Sequence, residues 1–270
     1  MKLGIVVSAQ PVQFEAVAFK GDFERHIEQV AALGYDGVEL AVRDPAALDL
    51  AALARAVAAS GLRVPAIGTG QAWGEERLSF TAVEAAVRAQ AVARLRSHIA
   101  LAARFGAVVI IGLIRGVVPP GVRRDAAWAW LVEALQRSAE AAAEAGVSLV
   151  VEPINRYETD LVNTVDEGLD LLKQVGADNV GLLPDTFHMN IEEPVIADSL
   201  RRAAPRLRHF HVADSNRWYP GAGHIDFPAL LATLRGELGY DGWVSAEILP
   251  KPDALTAAER ALVNLRGWLP

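Results

Sequence analysis

No cysteine occurs anywhere in the sequence, which removes disulfides, thiolate nucleophiles and cysteine-bound zinc from consideration. Long apolar runs are missing too. The longest, AVVIIGLI, is far short of the roughly 18 residues that a membrane span needs. The opening stretch MKLGIVVSAQP has one lysine and too short an apolar core for a secretory leader, so a cytoplasmic protein that avoids membranes is expected. Basic excess is absent as well: the net charge is −7, and nucleic-acid partners select strongly basic surfaces. SAQPVQF after the first apolar run is not a glycine-rich phosphate fingerprint, which disfavours a doubly wound nucleotide-binding sheet.

Short β-rich runs alternate with helical patterns from end to end. Strands are predicted at KLGIVVS, DGVEL, VPAIG, AVVII, VSLVVE, VGLLP, RHFHVA and WVSAE. Between them lie segments such as ALDLAALARAVAAS, with apolar residues at helical spacing. Gly34, Gly61, Gly106, Gly146, Gly176 and Gly239 each stand where a helix should stop. Thr81 with Glu84 and Thr164 with Glu167 fit the capping box, and a further helix is expected to start near Glu192. Eight strand–helix units without a composition break predict an α/β fold, a single (β/α)8 TIM barrel over residues 1–270.

Barrel active sites lie at the carboxyl ends of the strands. Glu152, Asp185, His211 and Glu247 close or follow strands five to eight, and so would line one arc of one rim. One such acid could simply cap a helix or pair with an arginine. Four in succession point to one divalent metal ion, since clustered buried carboxylates are costly without a cation. The oxygen-rich set suits Mn²⁺ foremost, with Mg²⁺, Co²⁺ or Zn²⁺ as alternatives. Such a metal would polarise a ketone and acidify the adjacent C–H. Glu152 and Glu247, on strands at the two ends of the arc, are then suited to remove and return that proton on opposite faces. His209 shares a face with His211 and reads as core or supporting shell. His26 and His98 fall on helical patterns and read as surface residues, and His224 reads as a loop fastener.

EPINRYETD, LLPDTFHMNIEE, HFHVADSNR with PGAGHIDF, and GYDGWVSAEIL resemble the xylose-isomerase-like sugar epimerase superfamily, in particular its D-tagatose 3-epimerase group. The resemblance implies the same four metal ligands and two proton-moving glutamates. It further implies substrate contacts from Glu158, His188 and Arg217, and a homo-oligomer, dimer or tetramer. Glu158 has a plainer reading as a salt-bridge partner of Arg156. MKLGIVVS, AFKGD, VELAVRDP, AIGTGQA and IIGLIRG are similar to the 5-keto-L-gluconate epimerase branch.

Free-ketohexose epimerases carry bulky aromatics near the first and fourth strand ends, where this chain has Ser8-Ala9-Gln10 and Ile114-Arg115-Gly116. Arg43 follows strand two as Arg115 follows strand four. With Arg217 they would form a cluster suited to an anionic keto-sugar acid of the 5-keto-L-gluconate or D-tagaturonate type. The alternatives are a D-tagatose or D-psicose 3-epimerase and a hydroxypyruvate-type aldose–ketose isomerase. A metal-dependent endonuclease on the same barrel would need more histidines and a basic face. GTGQAWGEERLSF, residues 68–80, is long enough for a lid or a static rim.

Overall fold

The computed structural model describes residues 1–269. Nine strands are present among them: β1 (Lys2–Ser8), β2 (Phe19–Lys20), β3 (Gly37–Ala41), β4 (Ala66–Gly68), β5 (Val108–Ile111), β6 (Leu149–Val151), β7 (Val180–Leu182), β8 (Phe210–Val212) and β9 (Trp243–Ala246). Eight match the expected runs. The two-residue β2, too short to show a period, pairs with β1 outside the ring. The ring order is β7-β6-β5-β4-β3-β1-β9-β8, with every neighbouring pair parallel. It closes between β7 and β8 through two single bridges, Leu182 with Leu207 and Asp185 with His211. The His211 N–H donates to the Pro184 carbonyl at 3.0 Å across that seam. The fold is a single TIM barrel with helices outside.

Side chains alternate across each strand, so one face packs on the helices and the other fills the barrel. The outward faces join the helices in one large apolar core containing Ile5, Leu40, Val109, Val151, Phe210 and Val244. Inside, the two halves of the barrel differ. Ala66, Ile110, Val150 and Leu183, from β4 to the end of β7, form a small apolar plug. Across from them Glu39, His209, His211 and Ser245 are buried polar groups. The floor is filled by Trp243, whose ring lies so close to Gly37 that a Cβ there would stand 2.6 Å from it. Arg63 and Lys2 cover the same ring, each 5.7 Å from its centroid.

Helix punctuation follows the sequence in most places. Gly34 takes φ 97° and returns its N–H to Ala31 and Val30 carbonyls, a conformation that favours glycine. Thr164 Oγ1 accepts the Glu167 N–H at 3.2 Å, while the Glu167 carboxylate takes the N–H of Asn163 at 2.6 Å. Thr81 does not cap a helix, because the helix begins at Ala85. Its hydroxyl instead donates to the Val117 carbonyl at 2.7 Å, so a tertiary partner outcompetes the local cap. The helix expected to start near Glu192 begins at Ile196 and runs to Ala203, and a further helix, Thr186–Glu192 with Asp185 as its cap, precedes it. Residues 68–80 are not an open loop, since a helix spans Gly70–Glu76. Among the described residues, no helix is long and apolar enough to cross a membrane.

The Trp243 contact makes a stability prediction. Gly37→Ala should overpack the barrel floor and lower unfolding free energy by about 2 kcal/mol, read as a lower denaturant midpoint with unchanged slope.

Candidate metal centre and active site

Glu152 and Glu247 stand one residue beyond β6 and β9, Asp185 three beyond β7, and His211 within β8. One donor atom from each lies within 4.8 Å of the others. Each side chain is anchored or walled in while one atom stays free. Asp185 Oδ1 accepts the Phe187 N–H at 2.9 Å, leaving Oδ2 without a partner. His211 donates Nε2–H to Glu39 at 2.9 Å, leaving Nδ1 free 3.6 Å from Glu152 Oε1, which is also unpartnered. Glu247 is held through Oε2 by Arg217 at 2.7 Å. Three buried polar atoms without partners, converging with a fourth donor, are costly unless a cation joins them. Three carboxylates and one imidazole therefore fit a divalent metal ion.

Glu39 was not anticipated from the sequence. It is 1 % exposed and accepts Nε2–H from both His209, at 2.7 Å, and His211. A carboxylate behind a metal-facing imidazole fixes its tautomer and strengthens it as a ligand. Burial alone would raise the Glu39 carboxyl, but the two imidazoles outweigh it and hold the group well below the usual range. The signal was available: Glu39 is an acid inside the otherwise apolar strand GVELA, where a buried carboxylate needs a partner. His209 therefore lies behind the candidate donors, bonded to the same carboxylate that holds His211.

A cavity of about 660 Å³ opens above the donors. Arg217, at a left-handed φ of 60°, spans it, donating to Glu158 at 3.1 Å and to Glu247. Its guanidinium lies over the rings of Phe187 and Phe14, at 4.7 and 5.4 Å. Burial would lower its pKa, but Glu247, Asp185 and Glu158 outweigh that and raise it, so it stays charged. His188 is buried and held well below its ordinary value, first by burial and then by Arg217. Its Nδ1 accepts from Asn155 Nδ2 at 2.7 Å. The proton is therefore assigned to Nε2, which lies 3.7 Å from Asp185 and 3.9 Å from Glu152. Asn155, also missed, bonds Glu158 as well, at 2.9 Å, and so orients two cavity residues at once. Phe14, in the segment after β1, and Leu113, after β5, supply apolar wall where the sequence suggested none.

Two expected arginines are elsewhere. Arg115 is fully buried and does not line the cavity. Its guanidinium donates to the carbonyls of Leu161 at 2.9 Å, Val162 at 3.1 Å and Glu152 at 2.5 Å, acceptors that the irregular backbone after β6 turns toward it. Arg43 is also outside the lining and lies 3.5 Å from Glu76. Arg156 pairs with Glu192 rather than Glu158. His98 is buried rather than exposed, hydrogen-bonded to Arg94 and Val42 carbonyls, and His26 is half-buried. His224 bonds Ser215 at 2.9 Å within its loop.

Residues 27–267 match the family model described as Xylose isomerase-like TIM barrel. The chain is 35 % identical to an L-ribulose 3-epimerase of Mesorhizobium japonicum, over 87 % of this chain and 78 % of that protein. It is 32 % identical to a D-psicose 3-epimerase of Agrobacterium fabrum, over 92 % and 84 %. The crystal structure of a D-allulose 3-epimerase from Methylomonas sp. superposes with a TM-score of 0.85 at 28 % identity, covering 100 % of this chain and 98 % of that one.

Proton linkage at the four donors is testable. Burial, with the Glu152 charge adding to it, pushes Asp185 up to about 6, and burial pushes Glu247 up to about 8. Burial would lower His211, but Glu39 and Glu152 outweigh it and raise it well above its ordinary value. Raised folded-state values mean that the metal-free centre holds protons which an incoming cation displaces. They also mean that this form loses stability as pH rises toward 8. Affinity for Mn²⁺ should therefore be higher at pH 8 than at pH 6, and the rise in Tm on adding it larger, as read by calorimetric titration and thermal melts at both pH values.

Proposed function

The chain belongs to the xylose isomerase-like TIM-barrel family and is a carbohydrate isomerase of the epimerase kind, and on that premise we propose that it inverts the carbon beside the ketone of a neutral ketose. Glu152 and Glu247 are the paired acid/bases, Asp185 and His211 complete the metal set, and Mn²⁺ is the favoured ion. The observation that carries this reading is the convergence of the two glutamates with unpartnered donors on one point under a cavity.

A bound cation would polarise the ketone and make the neighbouring C–H acidic. Glu152 withdraws that proton to give an enediolate, and Glu247 delivers one to the other face; the roles exchange in the reverse direction. The His188 Nε2–H and Arg217, whose Nε lacks a protein partner, supply hydrogen bonds to the substrate oxygens as charge develops. Glu158 accepts from a hydroxyl. Phe14, Leu113, Phe187 and Leu249 line the cavity and exclude water.

Charge selects the neutral ketose over the keto-sugar acid. The anionic reading rested on Arg43 and Arg115, and neither lines the cavity. Arg217 does, but it is shared between Glu158 and Glu247. Seven carboxylates, those of Glu15, Glu39, Glu75, Glu152, Glu158, Asp185 and Glu247, surround the substrate space or its immediate support. A divalent ion and Arg217 leave no surplus positive charge for a substrate carboxylate. The relatives named for L-ribulose and D-psicose agree with this.

The test is epimerisation in D₂O by metal-loaded protein, followed by NMR. D-psicose, D-tagatose and L-ribulose should gain deuterium at the carbon beside the ketone and yield the epimeric ketose rather than an aldose. 5-Keto-L-gluconate and D-tagaturonate should be turned over more slowly, and preference for them would overturn the charge argument. At saturating metal, Glu152→Gln and Glu247→Gln should each lose at least about 10²-fold in kcat; near-normal turnover in either would sink the two-base mechanism.

A further inference from the structure

Opposite the metal donors, the cavity wall carries a polar side chain that the chemistry above leaves unused. β4 and β8 stand across the ring from one another, four strands apart in either direction. The helix Gly70–Glu76 that follows β4 therefore faces His211 over the cavity. Gln71, in its first turn, lines the cavity and is 4 % exposed. Its Nε2 donates to Ser8 Oγ at 2.8 Å, and Ser8 Oγ donates to the Gln10 carbonyl at 2.5 Å. Gln10 is itself pinned, accepting the N–H groups of Arg43 and Asp44 at 2.9 Å each and donating to the Asp44 carbonyl at 3.0 Å.

This chain sets the orientation of the Gln71 amide. A hydroxyl has one proton, and Ser8 directs it to the Gln10 carbonyl, so toward Gln71 it can only accept. A flipped amide would set its carbonyl against an oxygen whose proton is already committed. Gln71 Oε1 is consequently left as a buried acceptor with no donor in the protein. Such groups are rare in folded interiors unless a ligand completes them.

We infer that Gln71 Oε1 receives a hydroxyl at the end of the substrate remote from the ketone, so that the site selects a ketose with a free distal hydroxyl. The inference rests on the epimerase reading and deepens it by naming the distal group. A carboxylate or phosphate at that end has no proton to give Oε1, and it would meet Glu75, which lines the cavity from the same helix. Ser8 and Gln10 act through Gln71 and are positioning residues.

The experiment compares kcat/KM of the metal-loaded protein for D-psicose and its 5-deoxy and 6-deoxy analogues, in wild type, Gln71→Leu and Ser8→Ala. Wild type should lose about tenfold on the analogue that lacks the contacted hydroxyl. Gln71→Leu should lose about tenfold on D-psicose and no longer distinguish it from that analogue, and Ser8→Ala, which frees the amide to turn, should fall between. Equal losses on all three sugars, or unchanged selectivity in Gln71→Leu, would overturn the inference. Wild type inert toward every ketose would instead defeat the epimerase reading. The same sugars are then compared by calorimetric Kd: a hydroxyl-dependent difference between wild type and Gln71→Leu keeps the subsite, and its absence removes it.

Discussion

Closure of the barrel between β7 and β8 rests on two single bridges, and one of them joins Asp185 to His211. Elsewhere in the ring, neighbouring strands share at least two registered pairs. At this seam the backbone pairing is thinnest, and the seam is where two of the four candidate metal donors meet. Pro184, two residues beyond β7, has no N–H to offer, so the seam is bonded through the Arg208 N–H to the Leu182 carbonyl and the His211 N–H to the Pro184 carbonyl. A metal bound by these two residues would couple its affinity to barrel closure. A cation held by Asp185 and His211 would fasten the one joint that hydrogen bonding leaves weak.

The barrel interior is divided to make that joint workable. On the β4-to-β7 side a small apolar plug supports the cavity from below. On the β3, β8 and β9 side buried polar groups support it instead, with Glu39 bracing two imidazoles. Ionised groups are tolerated there because each has a partner of opposite charge or a fixed donor, and because the free atoms converge on one point. Among the described residues, Arg217 is the one Lys or Arg that lines the cavity above the acids. Its left-handed backbone and its two aromatic neighbours hold the guanidinium between Glu158 and Glu247. Once a divalent ion is counted, the resulting chamber still has no positive charge to spare, which suits a neutral sugar better than an anionic one.

Rigidity behind the acids comes from groups that never face the substrate. Arg115 gathers the carbonyls of Glu152, Leu161 and Val162 and so fixes the backbone from which the Glu152 side chain projects. Asn155 joins His188 to Glu158. The Ser8–Gln10 pair does the same for Gln71 across the cavity. Sites of this kind work when the supporting hydrogen bonds leave the reactive atoms a single orientation.

The local pattern of the chain was enough to determine the barrel, its eight principal strands and the arc of Glu152, Asp185, His211 and Glu247. Parallel strands buried on both faces leave continuous apolar runs, and residues at their carboxyl ends share a rim whatever the loops do. The direction of a long side chain leaves no such mark. Arg115 and Arg43 follow strand ends as Arg217 does, yet one turns inward to backbone carbonyls and one to Glu76, because only the folded chain brings those acceptors within reach. Glu39, Asn155 and Gln71 gained their roles in the same way, from partners up to 172 residues distant. Tertiary structure alone decided which polar atoms were satisfied by the protein and which were left for a metal or a sugar, since that balance depends on contacts between segments that no local spacing encodes.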